Sequence, residues 1–178
     1  QRYRISAPSF FQVNTAQAEK MIALVLEGLE VNKHSAVADL YCGAGTFTLP
    51  LAKRCDFVYA VESAASSVRD LRRNIEAANL TNIEVIGGDS ARELPSLGEL
   101  DALVVDPPRA GLAKGVTQSI ASTGAKRVAY VSCDPATWAR DIARFKTAGY
   151  TLTQATPVDL FPQTYHVETV SILQRISG

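Results

Sequence analysis

The sequence predicts an α/β fold: a mostly parallel sheet with a C-terminal antiparallel strand pair. Three observations carry this. Strand-like and helix-like segments alternate along most of the chain. A glycine-containing tight turn follows the first strand-like run directly, at Gly43 to Gly45. The last two strand-like segments have no helix between them, so they read as neighbours running in opposite directions.

Taken in order, Thr15 to Val31 has Met21, Ile22, Val25, Leu26 and Leu29 at helical spacing, with Thr15 or Asn14 as N-cap. Ala36 to Tyr41 is the first strand, and the glycine loop leads into a helix ending at Lys53. Phe57 to Glu62 is the second strand. Ala64 to Asn79 is a helix whose Arg69, Arg72 and Arg73 form a solvated face. Ile83 to Ile86 and Ala102 to Val105 are the third and fourth strands, and Pro107 and Pro108 break regular structure after the fourth. Arg127 to Val131 is the fifth, and Pro135 opens the following helix as a first-turn proline. Tyr150 to Leu160 and His166 to Leu173 are the antiparallel pair, joined through Phe161-Pro162-Gln163-Thr164.

A chain of 178 residues fits a single domain, 1–178. At this size roughly 70% of the unfolded surface can be buried. An apolar fraction of 47% and a charged fraction of 20% are those of a globular protein. No apolar run reaches the roughly 18 residues that span a bilayer, and no signal-peptide pattern is visible. Cys42, Cys55 and Cys133 have neither disulfide nor metal spacing, which fits a reducing cytoplasm. The net charge of +0 argues against a large duplex-binding surface on this domain.

The strand ends carry the chemistry. Asp39-Leu-Tyr-Cys-Gly-Ala-Gly45 lets backbone approach a ligand closely. It lacks the Gly-Lys-Thr/Ser of a phosphate cradle, and Thr48 stands where a dinucleotide fingerprint needs glycine. Glu62 ends the second strand, where a carboxylate can hold ribose hydroxyls. Asp89 follows the third strand, where a carboxylate can receive an adenine amino group. Asp106-Pro-Pro-Arg109 ends the fourth strand at the ligand-binding edge of such sheets. Cys133, in Val131-Ser-Cys-Asp-Pro-Ala-Thr137, ends the fifth. Its residue type fits either a small buried hydrophobe or a nucleophile at the mouth of a site.

The order Asp39, Gly43, Glu62, Asp89 resembles the class I S-adenosylmethionine-dependent methyltransferases and their Rossmann-like fold. Amino-group methyltransferases carry an aromatic after the two prolines, and here that position is Arg109. With Arg109 the resemblance narrows to RNA 5-methyluridine methyltransferases, the TrmA and RlmD-like family. It rests on Phe11-Gln-Val-Asn14, the Asp39 and Asp106 segments, Val131 to Thr137, and Asp159-Leu-Phe-Pro-Gln-Thr-Tyr-His-Val-Glu168, in family order.

The resemblance implies S-adenosylmethionine as cofactor, held by Gln12, Tyr41, Thr46, Glu62, Asp89 and Asp106. It implies Cys133 as nucleophile and Glu168 as base in methylation of uridine carbon 5 in rRNA or tRNA. A thiolate adding to carbon 6 makes carbon 5 nucleophilic, which is why a cysteine is needed. The helix start at Pro135 and the Arg109 cation favour the thiolate, while Asp134 opposes it unless it points away. The target base must be unstacked to reach Cys133. Family members carry N-terminal domains, often an OB-like RNA-binding module, so an isolated catalytic domain is expected here.

Tyr41 fits cofactor contact or core packing, His166 fits site support or a structural role, and Phe161 and Pro162 fit a base pocket or a turn. Cys42, Cys55 and Trp138 read as packing residues. Two other readings remain: methyl transfer to another nucleic-acid or protein group with Cys133 structural, and a non-catalytic RNA-processing module.

Overall fold

The structure, a computed structural model, describes residues 15–159 and 167–176. One seven-stranded sheet runs through these residues in the order β3-β2-β1-β4-β5-β7-β6. Its strands are β1 (Ala36–Leu40), β2 (Phe57–Glu62), β3 (Ile83–Gly87), β4 (Ala102–Val105), β5 (Arg127–Ser132), β6 (Tyr150–Val158) and β7 (Glu168–Arg175). The first five are parallel. β7 runs antiparallel to both β5 and β6, as the missing helix predicts.

The helices are α1 (Thr15–Leu29), α2 (Thr48–Ala52), α3 (Ala65–Ala77), α4 (Ser90–Glu93), α5 (Val116–Ser122) and α6 (Pro135–Thr147), with a 3-10 turn at Leu94–Ser96. α1 stops two residues short of the predicted Val31 because Glu30 takes a left-handed φ of 51°. α4 and α5 have four and seven residues, too few for a periodic pattern to stand out in the sequence. The helix predicted directly after the glycine loop begins only at Thr48. Gln12, Asn14, Phe161, Pro162 and His166 lie outside the described residues, as does the side chain of Thr15.

The strands read as apolar runs because both sheet faces are covered. Alternate residues go to opposite faces. Ala102, Val104, Ala129, Val131, Val170 and Ile172 pack with Met21, Val25 and Leu29 of α1 and Leu51 of α2. Leu103, Val105, Val128, Tyr130 and Leu173 pack with Ile120 of α5 and Phe145 of α6. On the first face Leu71 of α3 covers Ala60 and Cys42. Cys42 and Cys55 are buried packing residues, as expected. Arg69, Arg72 and Arg73 are exposed. β6 forms one edge of the sheet, with a register shift between Leu152 and Gln154.

α6 is anchored by aromatic packing. Phe145 is fully buried, with edge-to-face contacts to Tyr130 at 5.8 Å and Tyr150 at 5.9 Å. Phe145→Ala is predicted to cost about 3–5 kcal/mol, through lost burial and the cavity left behind. Urea unfolding of the two proteins checks this. A loss under about 1 kcal/mol, the range of volume-conserving core swaps, would show that α6 does not depend on this contact.

Candidate active site

The C-terminal ends of the parallel strands form one edge of the sheet, and strand order reverses between β1 and β4. Such a reversal opens a crevice at that edge. Because β7 is antiparallel, its first residue lies at the same edge as the last residue of β5. Ser132 pairs with Thr169, so the next pair in that register is Cys133 with Glu168. Directly opposed positions of antiparallel strands hold their Cβ atoms roughly 5 Å apart on one face.

The period of two carries the argument across the sheet. Val37, Val58, Val104, Val131 and Val170 share the α1 face. Continuing the alternation puts Asp39, Glu62, Asp106, Cys133 and Glu168 on that same side. Five predicted or motif residues from five strands therefore converge on one side of one edge.

The loop after β1 is held in a shape that few residues tolerate. Tyr41 has φ 61°, Gly43 56° and Gly45 100°. A Cβ on Gly45 would lie 2.4 Å from Leu49 and 2.7 Å from Leu71, so glycine is required there. Asn74 Nδ2 donates to the Ala44 carbonyl at 3.0 Å, and the Gly43 N–H donates to Glu62 Oε2 at 2.9 Å. Glu62 Oε1 accepts from the Ala64 N–H at 2.7 Å. Glu62 is thus pinned by both oxygens while remaining partly exposed. Tyr41 is half-buried, packs against the second-face core, and its N–H donates to Ser90 Oγ. Thr46 is half-buried in the same loop. Asp89 is exposed and caps α4, accepting from the Arg92 N–H at 3.1 Å.

Asp39 is fully buried. Its Oδ2 accepts from the Thr48 hydroxyl at 2.6 Å. Its Oδ1 is, among the described residues, the one buried side-chain oxygen or nitrogen without a hydrogen-bond partner. Burial raises its carboxyl to about 7, against the Thr48 hydrogen bond, with the Glu62 charge adding to the rise. Asp106 is raised well above the usual carboxylate range by burial, then by Glu168 and Asp39. Crowded carboxylates with an orphan oxygen suit a cationic ligand, because a positive charge relieves each of these terms. Thr48, which breaks the dinucleotide pattern, is thus a ligand of Asp39.

Cys133 is half-buried, unlike Cys42 and Cys55. Its thiol is raised by burial and then by Glu168, lowered by Arg109, and raised again by Asp106. Glu168 is buried and raised by burial, with Arg109 opposing. Asp134 does point away. Its Oδ1 accepts from the Thr137 N–H at 2.8 Å, capping α6, and its own N–H donates to Ser132 Oγ. Trp138 is half-buried at the core margin, and its Nε1 donates to Ser171 Oγ at 2.8 Å.

Residues 1–176 match the model of the tRNA (uracil-5-)-methyltransferase family. The chain belongs to that family. An RNA methyltransferase of Caldanaerobacter subterraneus is 39% identical over 98% of this chain and 40% of its own length. One from Gloeobacter violaceus is 43% identical over 98% of this chain and 38% of its own. The chain therefore spans about two fifths of these relatives. The crystal structure of Pyrococcus abyssi tRNA (uracil-54, C5)-methyltransferase with S-adenosyl-L-homocysteine matches with a TM-score of 0.80 and 34% identity, over 96% of this chain and 41% of that one. The fold class is accordingly that of the class I methyltransferases, as the strand-end motifs predict.

The strand-end residues singled out in the sequence meet at one edge here; Gln12 lies outside the described residues. The cap on α6, the Thr48 bond to Asp39 and a buried Asp141 beneath the Asp106 loop were not legible as site features. Among the described residues no group of three or more His, Cys, Asp or Glu is placed to hold a metal ion. No helix among them is long and apolar enough to cross a membrane.

Asp39→Asn keeps the shape and the acceptor for Thr48 and removes the buried charge. A carboxyl raised in the folded state stabilises the fold when protonated and loses that contribution as pH rises toward about 7. The variant is therefore predicted to be more stable than the parent at pH 8 by an amount on the order of 1–4 kcal/mol, seen as a higher melting temperature, and to match it near pH 4. Thermal melts of the ligand-free proteins at both pH values check this; equal melts at pH 8 would show that the Asp39 charge costs the fold nothing.

Proposed function

We propose that this chain is the catalytic portion of an S-adenosylmethionine-dependent RNA methyltransferase that acts on carbon 5 of uridine, with Cys133 as nucleophile and Glu168 as base. The observation that carries the reading is the β5–β7 register, which opposes a half-buried thiol to a buried carboxyl beside Arg109. A cofactor-binding module without catalysis needs neither group. Membership of the family, and the ligands of its crystallised relative, support both the reaction and the cofactor.

S-adenosylmethionine supplies an electrophilic methyl group, and its sulfonium and ammonium charges suit the Asp39, Glu62 and Asp106 side. Glu62 suits the ribose hydroxyls and Asp89 the adenine. Tyr41 and Thr46 border the same loop, and Gln12 is assigned by resemblance. The thiolate of Cys133 adds to carbon 6 of uracil, forming the S–C6 bond and pushing an electron pair onto the carbon 4 oxygen. Carbon 5 would then be nucleophilic: the electron pair on the carbon 4 oxygen returns to form the C5–CH3 bond as the S–CH3 bond breaks, leaving S-adenosylhomocysteine. Glu168 removes the carbon 5 proton, the C5–C6 double bond reforms, and the S–C6 bond breaks to return the thiolate.

The electrostatics set how this chemistry responds to pH. Burial and Glu168 hold the thiol above its ordinary value, so the thiolate is a minor species near neutrality. Arg109, at the turn after the two prolines, is the group that offsets them. It also suits the phosphate or base oxygens of an RNA. The base must leave its stack to reach this edge. RNA-binding parts beyond this chain supply affinity, in keeping with its net charge of +0 and its share of the relatives' length. A cytoplasmic location is in keeping with the three free cysteines, Cys42, Cys55 and Cys133.

Cys133→Ala in the full-length protein is predicted to abolish methyl transfer, read with labelled cofactor and total RNA, while leaving cofactor affinity within about twofold of the parent. Full transfer by that variant would overturn the covalent mechanism and favour transfer to another group. Glu168→Gln is predicted to accumulate a protein–RNA adduct seen as a shifted band in denaturing gels, because adduct breakdown needs the base. Turnover without adduct in Glu168→Gln would move the base elsewhere.

A further inference from the structure

The loop that carries Asp106 and Arg109 is fastened from behind. Asp141, on α6 and on the opposite sheet face from Cys133, is fully buried. Its Oδ2 accepts from the Leu112 N–H at 2.8 Å and from the Tyr130 hydroxyl at 2.9 Å. Its Oδ1 accepts from Arg140 Nε at 3.0 Å and Arg144 Nη1 at 3.0 Å. The two arginines then reach the loop themselves: Arg140 Nη2 donates to the Ala110 carbonyl at 2.8 Å, and Arg144 Nη1 to the Leu112 carbonyl at 3.0 Å.

Gly111 fits into this fastening. It has φ 72°, and its N–H donates to the Pro108 carbonyl at 2.8 Å, closing a turn over Arg109 and Ala110. A Cβ there would lie 2.4 Å from both Arg140 Nη2 and Asp141 Oδ2. The backbone on the C-terminal side of Arg109 is therefore pressed directly onto α6. α6 starts at Pro135, so it is continuous with Cys133 through the Asp134 cap.

We propose that Asp141 is a positioning residue: by tying the loop from Pro108 to Leu112 onto α6, it fixes where Arg109 stands relative to Cys133 and Glu168. A purely structural carboxylate would need only to satisfy its arginines. This one spends its shortest bond on a backbone N–H of the Arg109 loop, and its two arginines spend donors on that loop's carbonyls. Charged groups that bear on the Cys133 thiol come from two elements: Glu168 on β7, and Asp106 and Arg109 beyond β4; Asp134 is turned into the α6 cap, where the Thr137 N–H and then Arg109 lower its carboxyl. Asp141 is not among them, so it acts on the thiol through Arg109. The assignment rests on the reading of Cys133 as the nucleophile.

The test reads the thiol directly in the full-length protein, by the pH dependence of iodoacetamide labelling at Cys133, resolved by peptide mass spectrometry. Asp141→Asn is expected to move the labelling midpoint to higher pH, in the direction of Arg109→Gln, with no further movement in the double variant. Its kcat for methyl transfer is expected to fall on the order of tenfold or more. Arg140→Gln, at a partly exposed position, is expected to move the midpoint the same way by less. A folded Asp141→Asn with the parent's midpoint would overturn the proposal, and if that variant does not fold, an unmoved midpoint in folded Arg140→Gln overturns it. Labelling needs no methyl transfer, so this failure is distinct from activity in Cys133→Ala, which would sink the nucleophile itself.

Discussion

β7 runs against β5, and the placing of Glu168 next to Cys133 depends on that direction. Had the last strands followed the parallel pattern of the first five, Glu168 would enter the sheet at the far edge. The antiparallel pairing instead delivers the start of β7 to the place where β5 ends, and the register opposes Glu168 to Cys133. A slip of one residue would send Glu168 to the other face and the alternate residues of β7 out of the core. Val170 and Ile172 are buried against α1, so the apolar core of the domain is also what fixes the register.

Electrostatics at this edge are dominated by negative groups that burial makes expensive. Asp39, Asp106 and Glu168 are each held above the ordinary carboxylate range, and burial is the leading cause in every case. Each also weighs on another member: Glu168 on Asp106 and on Cys133, Asp39 on Asp106. Arg109 opposes the rise at both Cys133 and Glu168. Its position therefore matters more than that of an ordinary surface arginine, and the Asp141 fastening supplies a reason for the turn at Gly111. Asp134, next to the thiol in sequence, is turned into the cap on α6, where the Thr137 N–H and then Arg109 hold its carboxyl low.

Much of this could be read from the chain itself. Long apolar runs located the strands, because a parallel sheet covered on both faces leaves little room for polar residues within them. The strand-end motifs Asp39 to Gly45, Asp106 to Arg109 and Ser132 to Cys133 were visible because glycine and proline punctuate them. Glu168 was reached through resemblance only. No local feature marks it as the partner of Cys133, since the pairing comes from a register between segments far apart in sequence. α4 and α5 escaped because tertiary contacts hold helices that short. Thr48 and Asp141 escaped for a related reason: their bonding partners lie nine and up to 29 residues away, and their residue types alone say nothing of burial.

The outer strand β6 carries a different burden from the edge where Cys133 and Glu168 meet. Among the described residues β6 leaves one row of backbone groups without a neighbouring strand, and Thr151, Thr153, Gln154 and Ala155 on it are exposed. Such a row is a template on which another chain can add. The register shift between Leu152 and Gln154 breaks its regularity, and Pro157 deletes a donor near its end. Both irregularities fall on the strand farthest along the sheet beyond β7, where they leave the pairing of β5 with β7 unbroken. This rim of the sheet thus resists intermolecular strand addition through its own defects, and Cys133 and Glu168 keep a regular frame.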